Sequence, residues 1–162
     1  MKLLEELYKK EPRFDNKYTQ FIETYTIVQG GRIGRTSEDE RSSEGRHFSY
    51  KYEIYMYAVF IGLKKNYTLP LSGESNKFNN IGSWKPEEIR DYLLMSLLAK
   101  SDFDFFELEE LPEEEVKKLL TKVRSDIEAY ANGGFDIMTS KAEEEGLFFI
   151  ENDYSFIDLL DD

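Results

Sequence analysis

The stretch from Pro112 to Gly134 constrains the fold more than any other part of the chain. Val116, Leu119, Leu120, Val123, Ile127, Tyr130 and Ala131 recur at the three-and-four spacing of one helical face, a stripe that has to be buried against other elements. Pro112 suits the start of a helix, Glu113, Glu114 and Glu115 sit at the positive end of its dipole, and Gly133-Gly134 reads as its stop. The pattern predicts a helix over 112–132.

Partners for that stripe come from the rest of the chain. Leu3, Leu4, Leu7 and Tyr8 predict a short first helix ending before Pro12. Tyr18, Phe21, Ile22, Tyr25 and Val28 predict a second over about 16–29, closed by Gly30-Gly31. Ile89, Tyr92, Leu93, Ser96 and Leu97 predict a third over about 86–99, begun at Pro86. Residues 48–64 are ambiguous, because Phe48, Tyr50, Tyr52, Ile54, Met56, Ala58 and Phe60 alternate as in a strand while Ile54, Tyr57, Ala58 and Ile61 form a helical face. Periodicity alone does not decide between them. The length of the segment, and its apolar character nearly all round from Ile54, favour a central buried helix. Ile54, Ala58, Ile61, Leu93, Leu97, Leu120, Val123 and Ile127 are the expected core.

Between these segments lie two long loops. Residues 30–47 are rich in Gly, Ser and charge and are expected to be mobile, and residues 66–85 are polar and broken by Pro70, Gly73 and Gly82. Beyond residue 142, Leu147-Phe148-Phe149-Ile150 and Tyr154 to Leu160 are apolar islands among acids, read as a strand plus a short helix or as a tail that orders on a partner. The expected fold is a mainly α, single-domain helical bundle with two long loops and room for a minor β element. It comprises a helical domain over 1–142, which includes the 30–47 Gly/Arg-rich loop, and an acidic, aromatic segment over 143–162.

Composition narrows the function. Among 162 residues there are no cysteines, which excludes disulfide frameworks, thiolate zinc sites and cysteine nucleophiles. The N-terminal ten residues lack the apolar core of a signal peptide, and the longest apolar run, Ile54 to Leu63, is too short to span a membrane. A cytoplasmic protein with no membrane partner is the expectation. Of the net charge of −12, residues 1–100 carry +2 and residues 101–162 carry −14, so the C-terminal third repels nucleic-acid backbones and suits a basic partner.

No catalytic constellation, metal site or cofactor motif emerges. The single histidine, His47, lies in the polar loop without a Gly-x-Ser-x-Gly elbow and reads as a solvated residue. Asp102, Asp104, Glu107, Glu109 and Glu110 cluster in sequence, but the glycine and the terminal acid of a calcium loop are missing, and Phe103, Phe105 and Phe106 interrupt the run. A carboxylate-metal enzyme built on Asp102, Asp104 and Glu107 is the enzymatic alternative. The loop offers Arg32, Arg35, Arg41 and Arg46, four of the seven arginines, to an anion, a nucleic acid or a partner's carboxylates. Trp84 reads as the staple of the helix after it or as an interface anchor. Phe148, Phe149, Tyr154 and Phe156 join Trp84 as expected partner-docking residues.

Three segments carry a resemblance: residues 52–66 (Tyr-Glu-Ile-Tyr-Met-Tyr-Ala-Val-Phe-Ile-Gly-Leu-Lys-Lys-Asn), residues 89–99 (Ile-Arg-Asp-Tyr-Leu-Leu-Met-Ser-Leu-Leu-Ala) and residues 128–134 (Glu-Ala-Tyr-Ala-Asn-Gly-Gly). Over roughly residues 50–137 the chain resembles the small accessory proteins encoded beside bacterial DNA phosphorothioation (Dnd) systems. The resemblance implies a helical subunit of an antiphage or DNA-modification locus, acting with larger protein subunits, and together with the acidic C-terminal third, the many tyrosines and the lack of a catalytic constellation it leads to the expectation of a non-catalytic adaptor or regulatory subunit. It brings no active-site residues, and it favours the helical reading of 50–65. A DNA-contacting component using the Arg-rich loop is the other alternative.

Overall fold

The computed structural model describes residues 2–26, 47–102, 104, 107 and 110–161. Among these, seven α-helices surround one core: α1 (Lys2–Tyr8), α2 (Thr19–Tyr25), α3 (Lys51–Lys65), α4 (Glu87–Lys100), α5 (Glu113–Glu145), α6 (Leu147–Glu151) and α7 (Ser155–Asp161). Two short strands, β1 (Arg13–Asp15) and β2 (Ser75–Lys77), pair antiparallel with Phe14 opposite Asn76. The fold is mainly α with a minor β element.

Segment 48–64 is helical where its burial demands it. In α3, Ile54, Tyr55, Met56, Ala58, Val59, Ile61 and Gly62 are all buried, a distribution too wide for one face of a strand, and a helix satisfies its own backbone there. The Glu53 carboxylate caps its start by accepting from the N–H groups of Ser49 at 2.7 Å and Tyr50 at 3.2 Å. Asn66, in the left-handed region at φ 49°, closes it with its N–H on the carbonyls of Gly62 and Leu63. The strand-like alternation survives only at Phe48, which bridges Thr26 in parallel.

Helix α5 corrects the expected stop at residues 133–134. It continues through both glycines to Glu145, 33 residues in all, or about 50 Å of helix. The glycines are contact points. A Cβ on Gly134 would lie 1.8 Å from the Ala58 carbonyl oxygen, one on Gly133 would lie 2.2 Å from that of Tyr67, and one on Gly62 would lie 2.3 Å from that of Tyr130. Helices α3 and α5 therefore pack backbone against backbone, and the glycines' cost in helix propensity, about 1 kcal/mol each, is offset by an approach that no side chain permits. The actual stop is Gly146, at φ 58°.

Other boundaries moved for tertiary reasons. The second helix begins as a 3-10 turn at Asn16–Tyr18 and ends at Tyr25, because Thr26 is drawn into its bridge with Phe48; Val28 lies outside the described residues. The 66–85 loop contains β2 and a 3-10 turn, Ile81–Ser83, and buries Phe78, Ile81 and Trp84. The island at 147–150 is helical, and the strands form elsewhere. Helix α5 also crosses the expected boundary at residue 142. All eight expected core residues are buried, at 5% exposure or less.

Candidate functional site

The last turn of α5 leads through Gly146 into α6 and α7, a two-helix segment with two unlike faces. Phe149, Phe156 and Leu159 on its inner face are buried. The Phe156 ring packs against those of Phe48 at 5.0 Å, His47 at 5.0 Å, Tyr25 at 5.2 Å and Phe149 at 5.2 Å. Polar bonds fasten the backbone above this cluster: Ser155 Oγ donates to the Phe149 carbonyl at 2.7 Å, the Tyr57 hydroxyl donates to that of Phe156, and Lys64 Nζ donates to that of Leu160.

The outer face is apolar and open. Leu147, Phe148, Tyr154 and Ile157 are exposed by 73%, 62%, 65% and 55%, a concentration of large apolar surface that marks interaction sites. Acids rim it, with Glu143, Glu144, Glu151, Asp153, Asp158 and Asp161 all exposed, and residues 143–162 contain no Lys or Arg. The turn between the helices is held in shape by Asn152, which donates from Nδ2 to Asp158 at 3.2 Å and accepts the Tyr154 N–H at 3.0 Å.

Of the residues expected to dock a partner, Phe148 and Tyr154 lie on this outer face, whereas Trp84, Phe149 and Phe156 are buried. Burial leaves these three rings no open surface to offer a partner, and for Trp84 it sets aside the interface-anchor reading and leaves that of a staple. Trp84 is fully enclosed against Tyr55 and Phe78, with its indole N–H on the Asn79 carbonyl at 3.2 Å, so it staples the loop before α4. Ile157, one of the apolar side chains of the 154–160 island, and Leu147, which was not expected there, also belong to the outer face. The helical spacing of Tyr154, Ile157, Asp158 and Asp161 sets one wet face opposite the face formed by Phe156 and Leu159.

His47 is also placed differently from its expected solvated position. Its ring stacks against Tyr25 at 6.1 Å and packs against Phe156, so burial holds its pKa below the usual histidine value, with Asp153 acting in the opposite direction. Arg32, Arg35, Arg41 and Arg46 lie outside the described residues. So do Glu109, Phe103, Phe105 and Phe106 of the acidic cluster, and among the described residues no group of three or more His, Asp or Glu side chains is gathered to hold a metal ion. No helix of the described residues is long and apolar enough to cross a membrane.

A second polar feature lies on α5. Glu128 and Asn132, one turn apart, are buried against β1. Glu128 pairs with Arg124 at 3.2 Å and accepts the Arg13 backbone N–H, yet burial still raises its pKa. Asn132 Oδ1 accepts the Asp15 N–H at 3.4 Å, and the buried Asp15 carboxylate accepts the Ser72 N–H at 3.1 Å. This seam ties α5 to β1 and to the loop before β2. Compared with models of known protein families, with curated proteins and with solved structures, the chain matches none.

Proposed function

We propose that the protein is a non-catalytic adaptor or regulatory subunit that acts by protein–protein binding, docking a basic partner on the outer face of α6 and α7. The observation that carries this reading is the pairing of four exposed large apolar side chains, Leu147, Phe148, Tyr154 and Ile157, with an acidic rim that has no basic residue of its own. Apolar anchors at the centre of a patch supply affinity, and rim charges select a partner of opposite sign and speed its approach. The partner best suited presents apolar residues at helical spacing flanked by Lys and Arg.

The resemblance to accessory proteins of phosphorothioation loci supports a partner among the larger proteins of a bacterial DNA-modification or antiphage system. The test is co-expression of the full chain with the proteins encoded beside it, followed by co-purification and calorimetry. The triple variant Phe148→Ser, Tyr154→Ser, Ile157→Ser should fold like the parent and lose the partner, and the affinity of the parent should fall as salt rises. Equal binding by parent and variant would overturn the reading, as would the absence of any neighbour-encoded partner.

A further inference from the structure

Helix α4 carries apolar side chains on two faces. Leu93, Leu94, Leu97 and Leu98 are buried against the body of the fold, while Ile89, Tyr92 and Met95 on the other side are exposed by 45%, 69% and 41%. Ala99, exposed, and Ser96, half-buried, complete that outer face. The Ser96 hydroxyl donates back to the Tyr92 carbonyl at 2.8 Å, so it brings no unpaired donor to the surface. A helix that is apolar on both sides is normally covered on both sides, and a group of exposed large apolar side chains marks an interaction surface. This one shares no residue with the docking face of α6 and α7.

The face is complementary to itself. Ile89, Tyr92, Ser96 and Ala99 follow the three-four-three spacing of a helix seam, with the two large side chains in its first half and the two small ones in its second. Laid against a second copy running the other way, Ile89 meets Ala99 and Tyr92 meets Ser96, so each layer sets one large side chain against one small. A parallel copy would set Tyr92 against Tyr92 and leave Ser96 facing Ser96. Charge follows the same order. Glu88 at the start of the face and Lys100 at its end lie about 18 Å apart along the axis, and both are exposed without an ion pair among the described residues, the Lys100 ammonium lying 5.6 Å from the Tyr130 ring. Antiparallel pairing brings the acidic end of each helix against the basic end of the other and opposes their dipoles. Tyr92 is also held ready as an anchor, since its ring stacks on Phe60 of α3 at 6.2 Å and 29°.

We propose that the outer face of α4 is a homodimer interface, on which two copies of this chain pair antiparallel with Tyr92 of each seated over Ser96 of the other and Glu88 set towards the end that bears Lys100. A closed two-fold pair of this kind uses the same patch on both copies and leaves no part of it open. A helix face about 20 Å long is smaller than a standard interface of about 800 Å² per partner, so the dimer forms with a Kd on the order of 100 μM.

Sedimentation equilibrium of the full chain from about 10 μM to about 1 mM tests this, with circular dichroism to show that each variant folds as the parent does. The parent should pass from monomer to dimer across that range. Tyr92→Ser, at an exposed position, should raise the Kd at least about tenfold, as expected for a central aromatic anchor. Ser96→Tyr, which puts two rings into a layer shaped for one, should do the same. Glu88→Lys and Lys100→Glu should each raise it about threefold by setting like charges together, and the double variant should return it to within about twofold of the parent. The triple variant Phe148→Ser, Tyr154→Ser, Ile157→Ser should dimerise like the parent, which separates this interface from the docking face. The proposal is overturned if the chain stays monomeric at about 1 mM, whether or not a neighbour-encoded protein is found to cover Tyr92. It is equally overturned if the dimer is indifferent to Tyr92→Ser, if Ser96→Tyr tightens it, or if the double charge variant pairs more weakly than both single ones.

Discussion

Truncating Phe156 to alanine tests whether the C-terminal segment belongs to the core. Phe156 is 5% exposed, and its ring lies within 6.3 Å of six others: Phe21, Tyr25, His47, Phe48, Tyr57 and Phe149. Removal of a buried phenylalanine ring costs about 3–5 kcal/mol in lost transfer energy and residual cavity. Edge-to-face pairs add about 0.5–1.5 kcal/mol each beyond area burial, which places this site toward the upper end of that range. In a domain of this size each kcal/mol moves the melting temperature by about 2–4 °C, so Phe156→Ala should melt about 6–20 °C below the parent. Phe148→Ala, at a side chain 62% exposed, should stay within about 0.5 kcal/mol. Circular dichroism melts of the three proteins decide the matter. If Phe156→Ala melts within about 2 °C of the parent, the packing of α7 against α2 and α3 does not stabilise the fold.

The glycine contacts predict a reversal of helix propensity: Gly134→Ala should destabilise by several kcal/mol despite an intrinsic gain of about 1 kcal/mol, because the added Cβ meets the Ala58 carbonyl at 1.8 Å. Urea unfolding midpoints of the variant and the parent measure this, and a stabilised Gly134→Ala would refute the close helix crossing. Leu120→Ala, at a side chain 5% exposed, should cost about 2–5 kcal/mol, which the same unfolding curves report. For His47, burial lowers the folded-state pKa, so the unfolded chain binds the proton more readily. The stability this group contributes is complete above the unfolded value of about 6.5 and is lost as pH falls from there toward the folded pKa. The parent should therefore lose more stability than His47→Phe between about pH 7.5 and 5.5, and parallel curves for the two would refute the burial of that ring. The single histidine also lets NMR follow the same titration directly.

The sequence by itself determined that most of the chain is helical and where the long apolar stripe of α5 lies, whereas 48–64 stayed open between helix and strand and 147–150 between strand and tail. The stripe of α5 reports a local geometry that its own residues enforce, and the eight expected core positions are buried because a stripe of that width has nowhere else to go. The face expected of α4 is corrected, since Ile89 and Tyr92 are 45% and 69% exposed while Leu94 and Leu98, beside Leu93 and Leu97, are buried. Charge was legible for the same reason, since the acids of 143–162 follow one another without a basic residue in any fold. What covers each face was decided only by the tertiary structure. Gly133-Gly134 reads locally as a helix stop, and only the carbonyls of Ala58 and Tyr67, some 70 residues away, turn it into a contact. Strands β1 and β2 are too short to show a pattern, and they pair only because Arg13 and Ser75, 62 residues apart, are brought together, with Arg13 Nε donating to Ser75 Oγ at 2.8 Å. An aromatic residue has the same composition whether it anchors a partner or fills a core. Trp84, Phe149 and Phe156 went inward while Phe148 and Tyr154 stayed outside, because the direction of a side chain depends on where its helix lies against α2, α3 and α5, and that placement is set by contacts distant in sequence.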